Sequence, residues 1–171
     1  MKFTRRAITA LLAGLLGAVL LAAGPVHAKT FRFADQGDVL SMDPYMFNEA
    51  VLLSFTGNIY ESLVGRGKHL EVTPALATDW KQTAPTVWSF NLRRNVKFND
   101  GTPFTADDVL FSLERARADG SDVKMYVGPI KEIRKVNSYT IDIVTLVPSP
   151  ILPQMITLWY ILPKVWCEKN G

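Results

Sequence analysis

An α+β fold is predicted for this chain, because its strands are expected to pair with neighbours along the sequence more often than across an intervening helix. Polar and apolar residues alternate over residues 86–98, which is typical of two half-buried strands. A helix is predicted to follow, since Thr105 and Asp108 have the spacing of a capping box. Residues 130–147 then predict an antiparallel hairpin.

The first 28 residues predict a secretory signal peptide. Three basic residues in the first six positions precede an apolar run over residues 7–23, and Val26-His27-Ala28 fits the small-x-small cleavage rule. Cleavage is predicted before Lys29. The alternative is an uncleaved membrane anchor, but an apolar run of about 17 residues is short for a span. We therefore expect a periplasmic protein that does not insert into the membrane after cleavage.

Charge and cysteine content exclude several classes of partner and cofactor. The leader holds three of the 19 basic residues and no acidic one, so the rest of the chain balances its 16 acidic side chains. This balance gives no reason to expect nucleic acid or an anionic membrane as a partner. The single cysteine, Cys167, cannot form an internal disulfide, and the sequence shows no zinc spacing or phosphate-binding glycine loop. We predict no metal and no cofactor, and we expect Cys167 to pack near the end of the chain.

The mature chain is predicted to open with a strand, a loop and a helix. Residues 31–34 alternate in polarity, and a glycine-containing loop follows and ends at Asp43-Pro44. Loops of this kind expose their backbone. Asn48 is placed to cap a helix over residues 49–63. The apolar residues of this helix recur at three- and four-residue steps and are predicted to face the core; they are Val51, Leu52, Phe55, Ile59 and Leu63.

The second half of the chain predicts a loop, a hairpin and a short helix. Residues 118–126 form a polar loop with Tyr126 at its exit. The hairpin is expected to turn at residues 137–138. A short helix over residues 151–159 is compatible with Pro153 if that proline lies in the first turn. The hairpin residues predicted to share one face are Ile141, Ile143 and Thr145.

A longer pattern runs from Trp88 to Val109 at fixed spacing, W-x-F-x-L-R-x-x-V-x-F-x-D-G-x-P-x-T-A-x-D-V. This pattern resembles the signature region of the family 5 extracellular solute-binding proteins, which are the binding components of peptide- and nickel-type ABC importers. Tyr60-Glu61-Ser62-Leu63-Val64 is similar to the family's Y-E-x-L-V element, which ends a helix. Residues 73–80 are similar to a further family element, a proline-started helical turn that leads into a tryptophan strand.

The resemblance implies a type II fold of the periplasmic-binding-protein kind, which in the intact family has two α/β lobes and an extra domain. Residues 29–45 would begin the first ligand-binding lobe. Residues 46–171 would form the extra α+β domain and the start of the return to the first lobe, and the opposing lobe would be absent. Closure around a ligand depends on contacts from both lobes, so the chain alone is expected to bind weakly.

The function implied by the resemblance is capture of peptides, or of a related small solute, and their delivery to the permease subunits of an ABC transporter. The alternative is a truncated remnant that does no transport and has at most a protein-interaction role. No enzyme is expected. Asp107 and Asp108 are neighbouring helix positions that point about 100° apart, so they do not form a paired-carboxylate site.

The resemblance places the ligand along the loop that follows the first strand, where peptide-binding members pair loop backbone with an extended peptide. The matching positions predicted to line the ligand are Gly37, Asp38, Val39 and Leu40. Tyr126 is a further candidate, because family members that bind oligopeptides can present a tyrosine from this region. The alternatives are an ordinary strand-to-helix connection for the loop, and packing of the Tyr126 ring at the loop base with its hydroxyl in water.

Overall fold

The computed structural model describes residues 30, 32, 34 and 37–170, and the chain divides into two compact units, residues 1–34 and 35–171. The predicted signal peptide lies outside the described residues, and so do the two phenylalanines of the predicted strand at 31–34. All regular elements described below belong to the second unit.

The elements follow one another in a mixed order. They are α1 (Ala50–Thr56), β1 (Val64–Arg66), β2 (Val72–Pro74), β3 (Ala77–Ala84), β4 (Val87–Leu92), α2 (Ala106–Arg117), α3 (Lys124–Val127), β5 (Ile130–Asn137), β6 (Thr140–Thr145), α4 (Leu152–Met155), a 3-10 turn (Ile156–Leu158) and α5 (Lys164–Asn170). Helices and antiparallel sheets alternate along the chain, which confirms the α+β prediction. None of the helices among the described residues is long and apolar enough to cross a membrane.

A four-stranded antiparallel sheet in the order β3-β4-β6-β5 is the main sheet of the unit. The inner strands carry the buried residues, with Phe90 paired opposite Ile141 and Trp88 opposite Ile143. The edge strands β3 and β5 are mostly polar and exposed. The predicted hairpin over residues 130–147 is present as β5 and β6, and Ile141, Ile143 and Thr145 are buried on β6. The β3–β4 hairpin was not predicted, because β4 pairs with the strand before it and not with residues 96–98.

Helix α2 begins with the predicted capping box. The Thr105 hydroxyl accepts a hydrogen bond from the main-chain N–H of Asp107 at 3.3 Å, and the Asp108 carboxylate accepts one from the N–H of Thr105 at 2.8 Å. The second Asp108 oxygen accepts the N–H of Lys164 at 3.0 Å, so one carboxylate also fixes the start of α5. Val109 and Leu113 are buried on the apolar face of this helix, and Leu110 is half-buried.

The hydrophobic core lies between the sheet, helix α2 and the segment that contains α4 and the 3-10 turn. Its largest fully buried side chains are Trp159, Tyr45, Phe90, Phe104 and Leu63. Trp80 stacks on Phe90 with ring centroids 6.2 Å apart, and Phe98 meets Phe104 edge to face at 6.2 Å. Such aromatic pairs add to the free energy gained by burial alone.

The long helix predicted over residues 49–63 is wrong in its second half. Helix α1 ends at Thr56, and the chain then extends so that Ser62 bridges Tyr160. The Leu63 carbonyl accepts the N–H of Ala77 at 2.7 Å, and the Ser62 carbonyl accepts that of Leu76 at 3.1 Å. Hydrogen bonding to distant residues therefore overrides the helical spacing of the apolar residues. Phe55 and Ile59 are each 43% exposed and do not face the core as predicted.

Two shorter predictions are also wrong. Residues 96–98 do not form a strand, because Lys97 makes only a single bridge to Pro103 across the turn, where Gly101 adopts a φ of 87° that favours glycine. No helical turn follows Pro74: β2 ends there, and the Leu76 N–H donates to the Ser62 carbonyl at 3.1 Å before β3 begins. The tryptophan strand predicted at Trp80 is β3 itself.

Candidate functional site

The candidate site is the N-terminal segment, residues 37–48, which precedes α1. Its first four residues lie outside helix and strand, and Leu40 is 69% exposed. A Cβ at Gly37 would come within 3.0 Å of Val51 Cγ2 on α1, so the backbone passes close to that helix. The Asp38 carboxylate accepts the N–H of Val39 at 2.8 Å. The main chain of residues 37–40 makes no other hydrogen bond to a described residue.

Asp43 is the polar centre of the segment. One carboxylate oxygen accepts the N–H of Tyr45 at 2.9 Å and makes a tight turn across Pro44. The other accepts a hydrogen bond from the guanidinium of Arg115, at the end of α2, at 2.5 Å. The Ser41 hydroxyl accepts the N–H of Asp43 at 3.0 Å. Asp43 therefore connects the turn to the helix through both of its oxygens.

Tyr45 anchors the segment in the core. Its ring is fully buried, its hydroxyl donates to the Tyr160 carbonyl, and its own carbonyl accepts the N–H of Asp122 at 2.9 Å. The guanidinium of Arg115 lies 5.9 Å from the ring centroid. Burial raises the pKa of the Tyr45 phenol well above its ordinary value, so the buried hydroxyl stays protonated.

Tyr126 and Tyr60 hold the segment on its exposed side. The Tyr126 hydroxyl donates to the Asn48 side-chain carbonyl at 2.8 Å, and the Asn48 amide lies 3.2 Å from the Met125 sulfur. Asn48 therefore does not cap α1 as predicted, because its side chain bonds to these distant residues. The Tyr60 hydroxyl donates to the Met42 carbonyl at 3.0 Å.

The segment and the elements it contacts carry exposed apolar side chains. They come from the segment, from α1 and the turn after it, and from α3; the set is Leu40, Met42, Met46, Phe55, Ile59 and Met125. Methionine side chains are flexible and polarizable, so they adapt to partners of varied shape. This arrangement can receive apolar groups beside the N–H groups of Asp38 and Leu40, which make no hydrogen bond to another described residue.

A groove of about 420 Å³ lies on the other side of Tyr60. Its apolar wall includes Phe98, Ile161 and Trp166, and the Cys167 side chain also lines it. Burial raises the pKa of the Cys167 thiol, so the reactive thiolate is disfavoured at neutral pH. In residues 37–170, no group of three or more His, Cys, Asp or Glu side chains could hold a metal ion. The groove therefore offers space for an apolar group, and its thiol is not activated.

The predicted site residues fall into two places. Gly37, Asp38, Val39 and Leu40 are consecutive on the exposed start of the segment, whereas Tyr126 contacts its far end through Asn48. No hydrogen bond between described residues joins Tyr126 to residues 37–40.

Sequence reasoning missed the contacts that hold the segment, above all those of Asp43 and Arg115. The Asp43-Pro44 turn signal was visible, but its partner lies 72 positions further along the chain.

Comparison with known proteins gives one family. Residues 71–169, more than half of the chain, match bacterial extracellular solute-binding proteins, family 5 Middle. The periplasmic murein peptide-binding protein MppA of Escherichia coli is 36% identical over 75 residues, which cover 44% of this chain and 14% of that protein. The dipeptide-binding protein of Escherichia coli is 26% identical over 168 residues, which cover 83% of this chain and 31% of that protein.

Solved structures share the fold. The structure of OppA from Burkholderia pseudomallei has a TM-score of 0.72 and 26% identity, and the match covers 77% of this chain and 30% of that one. An oligopeptide ABC transporter substrate-binding domain from Bacillus anthracis has a TM-score of 0.75 at 19% identity, which shows the fold alone. The chain thus spans less than a third of the length of each of these proteins.

Proposed function

Because the chain belongs to the bacterial extracellular solute-binding proteins of family 5, we propose that it contributes the first part of a periplasmic binding site for short peptides, or for a related small solute. The single observation that carries this proposal is the family match over residues 71–169. The relatives MppA and the dipeptide-binding protein are named for peptide binding, which supports a peptide as the ligand. Delivery of the ligand to the permease of an ABC transporter is part of the proposal.

Residues 37–40 are the proposed ligand-lining stretch. The N–H of Val39 is taken by the Asp38 carboxylate, so the N–H groups of Asp38 and Leu40 are the donors proposed to meet the ligand. An extended peptide can pair with such a stretch like an added strand, while its side chains remain loosely specified. The exposed methionines beside the stretch would accept ligand side chains of different shape. Tyr126 is proposed as a second contact through its ring, because its hydroxyl already donates to Asn48.

The division of the chain follows from the same proposal. Residues 1–28 would be removed as a signal peptide, residues 29–45 would belong to the first lobe, and residues 46–171 to the extra domain and the return to that lobe. The relative MppA is periplasmic by name, which supports export of this chain to the same compartment. We propose that the ligand is bound and not chemically changed, because the relatives are named as binding proteins.

The proposal is tested by identifying the small molecules that co-purify with the protein. The protein is purified without denaturation, weighed by native mass spectrometry, and then denatured so that released molecules can be identified. We expect peptides of a few residues in substoichiometric amount, and we expect tri-alanine to bind weakly in calorimetry. Release of a non-peptide solute alone would replace the peptide with that solute class, and the absence of any peptide or solute binding would overturn the proposal.

A matched pair of variants tests the role of the backbone. Leu40→Pro removes one main-chain donor, so we expect it to weaken tri-alanine binding about tenfold, the effect of one lost hydrogen bond to a charged or well-aligned partner. Leu40→Ala keeps the donor and should change the affinity less than about threefold. Equal losses in the two variants would show that the side chain, rather than the backbone, contacts the ligand.

A further inference from the structure

We propose that Asp43 and Arg115 are positioning residues that fix the proposed ligand-lining stretch, residues 37–40, to helix α2. This inference rests on the proposed function, since it concerns the geometry of that stretch. Neither residue is placed against the ligand. Their effect would pass through the turn at Asp43, three residues after Leu40.

The geometry of the carboxylate carries the inference. One Asp43 oxygen closes the turn by accepting the N–H of Tyr45 at 2.9 Å, and the other accepts the guanidinium of Arg115. The same guanidinium lies over the Tyr45 ring, with its carbon 5.9 Å from the ring centroid. The turn is therefore held on three sides, by its own carboxylate, by the helix end and by the buried ring.

The exposure of the pair indicates positioning rather than global stabilisation. The Asp43 side chain is 28% exposed and that of Arg115 is 39% exposed, so water screens much of their attraction. Ion pairs at this exposure contribute little to the free energy of unfolding. The pair still fixes the position of Asp43. The N–H of Asp43 donates to the Ser41 hydroxyl, so the position of Asp43 in turn restricts Ser41, the residue after Leu40.

Arg115 has a matched control within the same unit. Lys135 is 37% exposed, close to the exposure of Arg115, and pairs with Asp107 at the opposite end of α2; among the described residues, neither Lys135 nor Asp107 forms a hydrogen bond or ion pair with residues 37–48. Lys135→Gln thus removes an equivalent charge contact without affecting the turn. Arg115→Lys keeps the charge but loses the planar guanidinium, so it should restore only part of the effect.

Hydrogen exchange measured by NMR on the full chain decides the question. In Asp43→Asn and Arg115→Gln we expect the N–H groups of Tyr45 and Met46 to exchange about fivefold faster, with the N–H groups of β4 unchanged. Lys135→Gln should change neither set. Exchange that stays constant at Tyr45 and Met46, or that rises equally in β4, would overturn the proposal, because the pair would then have no local role.

Affinity for tri-alanine gives the second readout. We expect Asp43→Asn and Arg115→Gln to weaken binding about fivefold while the melting temperature falls no more than in Lys135→Gln. Arg115→Lys should lie between these variants and the unchanged protein. Unaltered affinity in both variants would also overturn the proposal. If the unchanged protein binds no peptide or small solute at all, the proposed function fails, while the exchange measurements still decide whether the pair fixes the turn.

Discussion

The sheet with helix α2 and the stretch from residue 37 to residue 60 are held together in different ways. In the sheet, consecutive main-chain hydrogen bonds join β3, β4, β6 and β5, and buried side chains such as Phe90 lie beneath them. From residue 37 to residue 60, single side chains make most of the contacts with the rest of the unit, beside one main-chain hydrogen bond from Asp122 to Tyr45, and several apolar side chains are exposed. In the first region the strands share one buried core, so the loss of a single buried side chain weakens the whole region. The second can be altered one contact at a time, which suits a surface that meets a ligand.

Phe90→Ala should have the largest effect, because it removes the central side chain of the first region. Phe90 is fully buried and stacks on Trp80, so truncation leaves a cavity in the core. We expect the free energy of unfolding to fall by about 3–5 kcal/mol in urea denaturation. The exposed neighbour Asn91, changed to Ala, is the control and should cost less than about 1 kcal/mol. A loss below about 1 kcal/mol for Phe90→Ala would contradict this description of the core.

Tyr45→Phe tests the strongest single anchor of the second region. Loss of the hydroxyl that bonds to the Tyr160 carbonyl should cost about 1 kcal/mol at pH 7. Because the folded pKa of Tyr45 is raised, its stabilising effect is complete below pH 10, the ordinary value for tyrosine, and declines as the pH rises further. The free energies of unfolding of the unchanged protein and of Tyr45→Phe, measured by urea denaturation, should therefore approach each other above pH 10. If the difference in the free energy of unfolding stayed constant between pH 8 and pH 11, the pKa of Tyr45 would not be raised in the folded protein.

The smallest effect on stability is expected from the exposed apolar residues. Leu40→Ser and Met42→Ser remove groups that are 69% and 54% exposed, so each should change the free energy of unfolding by less than about 0.5 kcal/mol. Fluorescence of the dye ANS, which reports accessible apolar surface, should nevertheless fall in the double variant. A loss above about 1 kcal/mol would mean that these side chains are packed. The control is Thr83→Ser on the exposed edge strand β3, which should alter neither measurement.

The regions also differ in how far they could be predicted. Local rules determine the first: Thr105 and Asp108 form their cap three residues apart, and Trp88 and Phe90 occupy successive inward positions of one strand. In the second region, the spacing of Phe55 and Ile59 predicted a longer helix, yet hydrogen bonds from Ser62 and Leu63 to distant residues extended the chain instead. Helical periodicity shows which residues are apolar, but it does not show which distant residues will bond to the main chain of the same stretch.

The candidate site was predictable only in its position. The glycine and proline around the loop indicated exposed backbone at residues 37–40, and those residues are largely exposed. Whether they touch a ligand stays a prediction. The contacts that hold the segment join Asp43 to Arg115 and Tyr126 to Asn48, which lie 72 and 78 positions apart. Charged and polar residues at such separations have many possible partners, so sequence alone could not choose among them.

The form of the sheet edges has a consequence for solubility. β3 and β5 each show register shifts near both ends and carry Lys81, Arg134 and Lys135 on exposed positions. Bulges and lysines at an edge hinder the strand of another molecule from pairing there, which is how many proteins avoid growing into fibres. If copies of this chain do associate at high concentration, contact through the apolar groups near residues 37–60 is thus the easier route.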